Sequence, residues 1–289
     1  MKLLVTGLLP HDSGKTVIAL NLSKALSKRL RVFYFKPIAG HSGWYQAETV
    51  KHSLEAGILV GHDAYTAARE LGLLDRVRLV NPVDLLTMPP DPLKYIKSIR
   101  LYLGILADVA SQTVLMRISR PLEGVDEYFI VRENARRLNK VTLTVLEEMI
   151  ERFSARGNVV FYDAEPGLIM KLFSNREALN WLNNIYGLLS EYDVVVTESY
   201  NNAAAPIEAS LDSDLVLVTA PTRLLIYRGT RYRQGVEAFS MGRPPWLVDV
   251  GGIVEVLGEP LKTMDIPYVD TSEFNNFIDL LVEFITSYQ

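Results

Sequence analysis

No cysteine occurs among the 289 residues, so disulfides, thiolate catalysis and cysteine-based zinc sites are excluded. Nor is there a run of about 18 apolar residues, which leaves no segment expected to cross a membrane. The stretch Met1-Lys2-Leu3-Leu4-Val5-Thr6-Gly7 is too short an apolar run for a signal peptide and soon meets His11 and Asp12. A cytoplasmic protein without membrane partners is the expectation. Basic charge is not in excess either. With a net charge of −4, nucleic acid would need a local patch to bind, and none is expected to do so. Two clusters read as solvated faces at helix-like spacing: Arg132, Arg136, Arg137 and Lys140, and Arg223, Arg228, Arg231 and Arg233.

What is present is an ordinary globular composition, 48% apolar and 22% charged, which argues against disorder. Short apolar runs alternate with amphipathic stretches, the pattern of an α/β protein whose mostly parallel sheet is flanked by helices. Strands are expected at Lys2–Thr6, Arg31–Phe35, Asp193–Thr197 and Asp214–Thr219, with helices at Gly14–Lys28 and Ala64–Leu71. Asn81-Pro82 through Pro92 reads as a proline-rich loop. Helical stretches fall at 94–109, 139–153 and 175–189, and strands at 113–118 and 158–162. The tail has a strand near Tyr268 and a last helix from Glu273. No linker marks a second domain, so residues 1–289 are taken as one domain with 93–190 as a large central elaboration.

The segment Thr6-Gly7-Leu8-Leu9-Pro10-His11-Asp12-Ser13-Gly14-Lys15-Thr16 lies between a strand and a helix. A loop in that position can aim backbone N–H groups at phosphate oxygens, with the helix N-terminus adding a favourable dipole. Lys15 would supply charge to the β- and γ-phosphates of a nucleotide, and the Thr16 hydroxyl would ligate Mg²⁺. Six residues separate Gly7 from Gly14 where the usual pattern has four. Lys36-Pro37 ends the second strand, where open α/β sheets place their ligands. A lysine there can neutralise a phosphoryl group in flight or hold an anionic substrate. Glu198 ends a run of buried valines. An acid in that place is costly to desolvate without a cation or donor. His11, His41 and His62 fall in loops expected at one edge of the sheet, as phosphate contacts, acid–base groups, a second metal site or separate polar residues. Trp44 and Tyr45 could stack on a ligand or pack on the loop.

These segments resemble dethiobiotin synthetase and its relatives among P-loop ATPases. The Gly14-Lys15-Thr16 loop, Phe35-Lys36-Pro37, Asp63-Ala64, Asn81-Pro82 with Pro89 and Pro92, and Val194-Val195-Val196-Thr197-Glu198 carry the resemblance. It spans about residues 2–92 and 193–221. It implies a P-loop NTPase fold with ATP and Mg²⁺ as cofactors and a homodimer. Asp12, Ser13, Gly14, Lys15, Thr16, Val17 and Pro221 are then the expected nucleotide contacts. Thr16, Asp63 and Glu198 are expected to hold Mg²⁺, and Lys15, Lys36 and Glu198 to be catalytic. Where the family has glycines after the strand-end acid, this chain has Ser199 to Pro206, so a different organic substrate is expected. Two classes of function follow: an enzyme passing the γ-phosphoryl to a carboxylate- or carbamate-type small molecule, or a nucleotide-driven switch acting on a protein partner. The absence of an Asn-Lys-x-Asp motif favours ATP over GTP.

Overall fold

The computed structural model describes residues 1–288. They contain eleven strands. In chain order these are β1 (Lys2–Gly7), β2 (Val32–Phe35), β3 (Ile38–Ser42), β4 (Val83–Thr87), β5 (Thr113–Arg120) and β6 (Val125–Val131). β7 (Val159–Ala164), β8 (Val194–Glu198), β9 (Leu215–Ala220), β10 (Arg223–Arg228) and β11 (Lys262–Asp265) complete the set. The strands form two mixed sheets with helices about them, an α/β architecture. No helix among the described residues is long and apolar enough to cross a membrane.

The chain divides into two compact units. The first takes Met1–Pro37, Ala67–Leu73 and Arg176 onward; the second takes Ile38–Thr66 and Leu74–Asn175. The 93–190 stretch is thus shared: its residues to Asn175 lie in the second unit, together with the earlier segment from Ile38.

In the first unit the strand order is β11-β10-β9-β1-β8-β2. β9, β1, β8 and β2 run parallel, while β10 is antiparallel to both β9 and β11. Every residue of β8 is buried, as are all but the first of β1, because helices cover both faces of a parallel sheet. Helix Lys15–Ser27 follows β1 and buries Ile18, Ala19, Leu22 and Leu26, one stripe at helical spacing. Helix Ser272–Ser287 is capped by the Thr271 side chain, which accepts from Phe274 N at 3.2 Å, and buries Phe274, Phe277, Ile278 and Leu281.

The second unit holds the order β3-β4-β5-β6-β7. Its core gathers Leu86, Leu115, Tyr128, Ile130, Met149 and Phe153. Fully buried Arg117 spans its interior, donating to Leu59 O at 2.8 Å and to Asn81 O at 2.6 Å.

Several expectations are corrected. The proline-rich 81–92 loop contains β4, a central strand; Pro82 precedes its first residue, where a missing N–H costs no ladder bond. Arg223 and Arg228 bracket β10 rather than lying on a helix. A turn with Thr222 at φ 66° sends the chain back along β9, and only Arg231 and Arg233 lie on helix Gly229–Ser240. The tail strand is β11, with Tyr268 outside it and 90% exposed. Helix Ile99–Ala107 covers part of the expected 94–109 stretch, and helix Trp181–Leu188 part of 175–189.

Candidate functional site

Three parallel strands deliver the site to one end of the first sheet. Their register sets Phe35 opposite Thr197 and Val5 opposite Glu198, so β1, β2 and β8 finish nearly level. β1 then runs into the 8–14 loop, β2 into Lys36, and β8 into Ser199.

The loop folds back over Gly7. A Cβ on that residue would stand 2.1 Å from Ser13 Oγ and 3.1 Å from Lys15 Cδ, so only glycine fits. Gly14 adopts φ 84° and occupies the N-cap position of helix Lys15–Ser27, where it brings no capping side chain. Leu8 N donates to Thr219 O at 2.9 Å, and Thr219 Oγ1 to Thr6 O at 3.0 Å, tying the loop's base to β9. Ser13 is buried, and its Oγ accepts from Lys15 Nζ at 3.0 Å. His11 and Asp12 are exposed at the crest.

Glu198 is the hub. Its Oε1 accepts from Thr16 Oγ1 at 2.7 Å and from Lys36 Nζ at 2.8 Å, and its Oε2 accepts from the Tyr34 hydroxyl. The carboxylate is 1% exposed and the Lys36 side chain 8%. Burial of a carboxylate this deep is tolerable because a cation and two hydroxyls surround it.

Beyond Glu198 the chain does not swing free. Ser199 N donates to Val5 O at 2.9 Å, and its hydroxyl to Ala203 O at 2.9 Å. Thr6 Oγ1 donates to the same carbonyl at 2.7 Å, and Tyr232 OH to Ala204 O at 2.9 Å. Ser199 to Pro206 is therefore folded into the unit. Burial pushes the Tyr232 and Tyr200 hydroxyls well above the ordinary tyrosine range.

The structure thus brings Lys15, Thr16, Lys36 and Glu198 into one constellation with Ser13 and Gly14. Val17 is half-buried in the first turn of the helix, and Pro221 is exposed just past β9, whose end lies beside the end of β1. Asp63 belongs to the second unit. It is in the first turn of helix His62–Glu70 rather than at its cap, because that helix begins two residues earlier than Ala64.

His41 and His62 also belong to the second unit, and they are engaged separately. His41 Nδ1 lies 2.9 Å from Asp84 Oδ1, with both side chains buried. The ring of His62 stacks on His52, centroids 5.2 Å apart. Trp44 and Tyr45 are exposed, 55% and 72%.

No protein-family model, curated protein or solved structure matches this chain. Its chemistry rests on the constellation itself.

Two partners in the constellation are not singled out by the sequence reading. Tyr34 lies two residues before Lys36, hence on the same face of β2, and period-two alternation could have flagged it. Thr219 had no local signal, because only the β1–β9 pairing brings it to the loop.

No group of three or more histidine and carboxylate side chains could hold a metal alone among the described residues. A magnesium ion carried by a nucleotide needs less: it keeps its waters and takes one or two protein oxygens beside the phosphates. Thr16 and Glu198, hard oxygen donors 2.7 Å apart at the loop, fit that need. Half of the two basic clusters is ion-paired: Arg223 with Asp265, Arg233 with Asp212 and Glu237, Arg132 with Asp163 and Arg137 with Glu133.

Proposed function

We propose that the first unit is a P-loop module that binds Mg-ATP, and that the chain is a divergent dethiobiotin synthetase-like enzyme. In this reading the γ-phosphoryl passes to a carboxylate- or carbamate-type small molecule. One observation carries it: Glu198 joins Thr16 at the start of the loop helix and Lys36 at the end of β2 through a single carboxylate oxygen. A surface turn lysine and a chance Gly-Lys-Thr would have no reason to share a buried acid.

Each residue then has a task. Backbone N–H groups of the loop around Ser13 and Gly14 cradle phosphate oxygens, and the helix start adds its dipole. Lys15 supplies a charge to the β- and γ-phosphates. Thr16 and Glu198 are the protein oxygens for Mg²⁺, which when bound neutralises phosphate charge. Lys36 stabilises charge on the transferring group from the acceptor side. The bond between the γ-phosphorus and the β,γ-bridging oxygen breaks, and a bond forms to an oxygen of the acceptor, leaving ADP and an acyl phosphate. Ser199 to Pro206 replaces the glycine-rich stretch of the resembled family, which supports a different organic acceptor.

The test is calorimetry with Mg-ATP, followed by a metabolite screen for compounds that stimulate phosphate release. Saturable binding that Lys15→Ala abolishes, with release raised by at least one small carboxylate or amine plus bicarbonate, is the expected result. Absence of binding to either Mg-ATP or Mg-GTP overturns the reading.

A further inference from the structure

Helix Ile99–Ala107, in the second unit, is apolar along most of its length yet buries only Ile105. Leu93, Ile96, Ile99, Leu101 and Leu103 are exposed by 51% to 73%. At 3.6 residues per turn, Ile99 and Leu103 project on one side of Ile105 and Leu101 on the other, so both flanks of the helix offer aliphatic surface to solvent. A helix of this composition is normally buried, and a contiguous apolar patch left outside marks an interaction site.

Its charge has one sign. Residues 92–107 include Lys94, Lys97 and Arg100 but no Asp or Glu. Lys94 Nζ donates to the carbonyls of Arg136 at 2.7 Å and Leu138 at 3.2 Å, so the turn carrying exposed Arg136 and Lys140 lies alongside. No acid is paired with Lys94, Lys97, Arg100, Arg136 or Lys140 among the described residues. Of the acids close in sequence, Glu133 is held by Arg137, and Asp91 caps the segment's start by accepting from Leu93 N at 3.0 Å.

We propose that this segment docks the protein peripherally on an anionic lipid surface. The aliphatic side chains enter the boundary between headgroups and acyl chains, while the lysines and Arg100 reach the anionic headgroups. Tyr95 and Tyr102, ring centroids 5.9 Å apart, suit the headgroup level. With nine residues the helix is far too short for a hydrocarbon core of about 30 Å, so it lies on the surface. The expectation of no membrane partner came from the lack of a spanning segment, which bears on spanning alone. A second copy of the chain fits less well, because two-fold pairing would set like charges against each other. A protein groove takes one stripe of a helix, whereas a fluid surface takes both flanks. The proposal stands apart from the nucleotide-binding reading.

The test is co-sedimentation of the full chain with vesicles of phosphatidylcholine, alone or mixed with phosphatidylserine. Wild type is expected to bind the mixed vesicles, to bind the neutral ones weakly, and to be released by high salt. Ile99→Ser with Leu103→Ser, both at exposed positions, should lower binding at least about tenfold. Lys97→Glu with Arg100→Glu should lower it by at least about fivefold per charge. That loss should exceed the loss from Lys28→Glu with Arg29→Glu, the same change of net charge at exposed residues outside the segment. Wild type that binds neither vesicle overturns the proposal, and self-association lost in the Ile99 and Leu103 variant would then give the face to a second copy. Binding that does not distinguish the two vesicles, or that both segment variants retain, overturns it as well. Should a variant fail to fold, hydrogen exchange on wild type decides. Mixed vesicles that slow the amides of residues 93–107 support the proposal, and slowing confined to other segments overturns it.

Discussion

Lys36 and Glu198 form an ion pair sealed from water, Nζ 2.8 Å from Oε1, at the ends of two strands that are neighbours only through parallel pairing. Removing either partner leaves a buried charge without compensation, which typically costs about 3–5 kcal/mol. Lys36→Met and Glu198→Gln should each lower stability by that order in urea unfolding. The double change Lys36→Met with Glu198→Gln removes both charges and should cost clearly less than the two singles added together. Additive, near-zero effects would mean that the lysine head finds water and the pair is incidental.

Gly7→Ala tests the loop. The added methyl would lie 2.1 Å from Ser13 Oγ, so Ser13 has to leave its place, and Lys15 with it. Overpacking of this kind costs about 1–3 kcal/mol. Nucleotide affinity should fall by at least roughly tenfold, because a shift of the loop misplaces both its amides and its lysine. Gly104→Ala is the control: nothing lies within 4 Å of its added methyl in helix Ile99–Ala107, and it should gain up to about 1 kcal/mol. Thermal unfolding and calorimetry of the two variants separate a local clash from a general effect of removing glycine.

Legibility in the sequence followed the range of the interactions. β1, the loop and helix Lys15–Ser27 are contiguous, so their pattern was readable. β8 and β9 are continuous apolar runs, the mark of strands buried on both faces. Lys36 and Glu198 could be named as strand-end residues, but their pairing with each other follows from the β2–β8 register and not from any local pattern. The second sheet was the least legible part. β3 reads Ile-Ala-Gly-His-Ser, too mixed to register as a strand, and β4 hides among prolines. β10 carries arginines at both ends, which mimicked a helical face until the turn at Thr222 reversed the chain. His62 finds His52, a residue with no motif around it, because two helices happen to bring the rings together.

Alkaline pH should unfold the protein cooperatively. Burial raises Tyr128, Tyr200 and Tyr232 above the ordinary tyrosine value of about 10, and in Tyr128 the nearby Arg117 charge opposes this only in part. Their phenols stay protonated in the folded chain while the unfolded chain releases its protons near pH 10. Stability from these groups is thus complete below about pH 10 and is lost above it, by roughly 1.4 kcal/mol per pH unit for each. Absorbance at the phenolate band should rise in a late step that coincides with loss of far-UV circular dichroism. Ionisation of all fourteen tyrosines with native dichroism intact would show that burial does not hold these phenols.

The two lysines of the site separate an enzyme from a switch. Lys15 Nζ lies 3.0 Å from Ser13 Oγ inside the loop, so its charge serves whatever the loop holds. Lys15→Ala should therefore abolish ATP binding, at a stability cost of about 1.5–3 kcal/mol for the lost hydrogen bond of a charged group. Lys36 stands at the end of β2 with its ammonium on Glu198 Oε1, the oxygen that Thr16 also holds, and in the proposed reading its charge is the one that serves the acceptor. In a transferase or ligase, Lys36→Ala should keep measurable ATP affinity, because Lys15 and the loop amides remain. Its turnover should fall about a hundredfold, the usual effect of removing one charge aimed at a transition state. In a switch the same change would spare slow basal hydrolysis and impair only stimulation by a protein partner. Both variants must be assayed below their unfolding temperatures, since Lys36→Ala also leaves Glu198 buried without its cation. Calorimetric ATP affinity, measured beside basal and metabolite-stimulated phosphate release, distinguishes the two classes. A Lys36→Ala protein equal to wild type in all three measurements removes the best support for phosphoryl transfer.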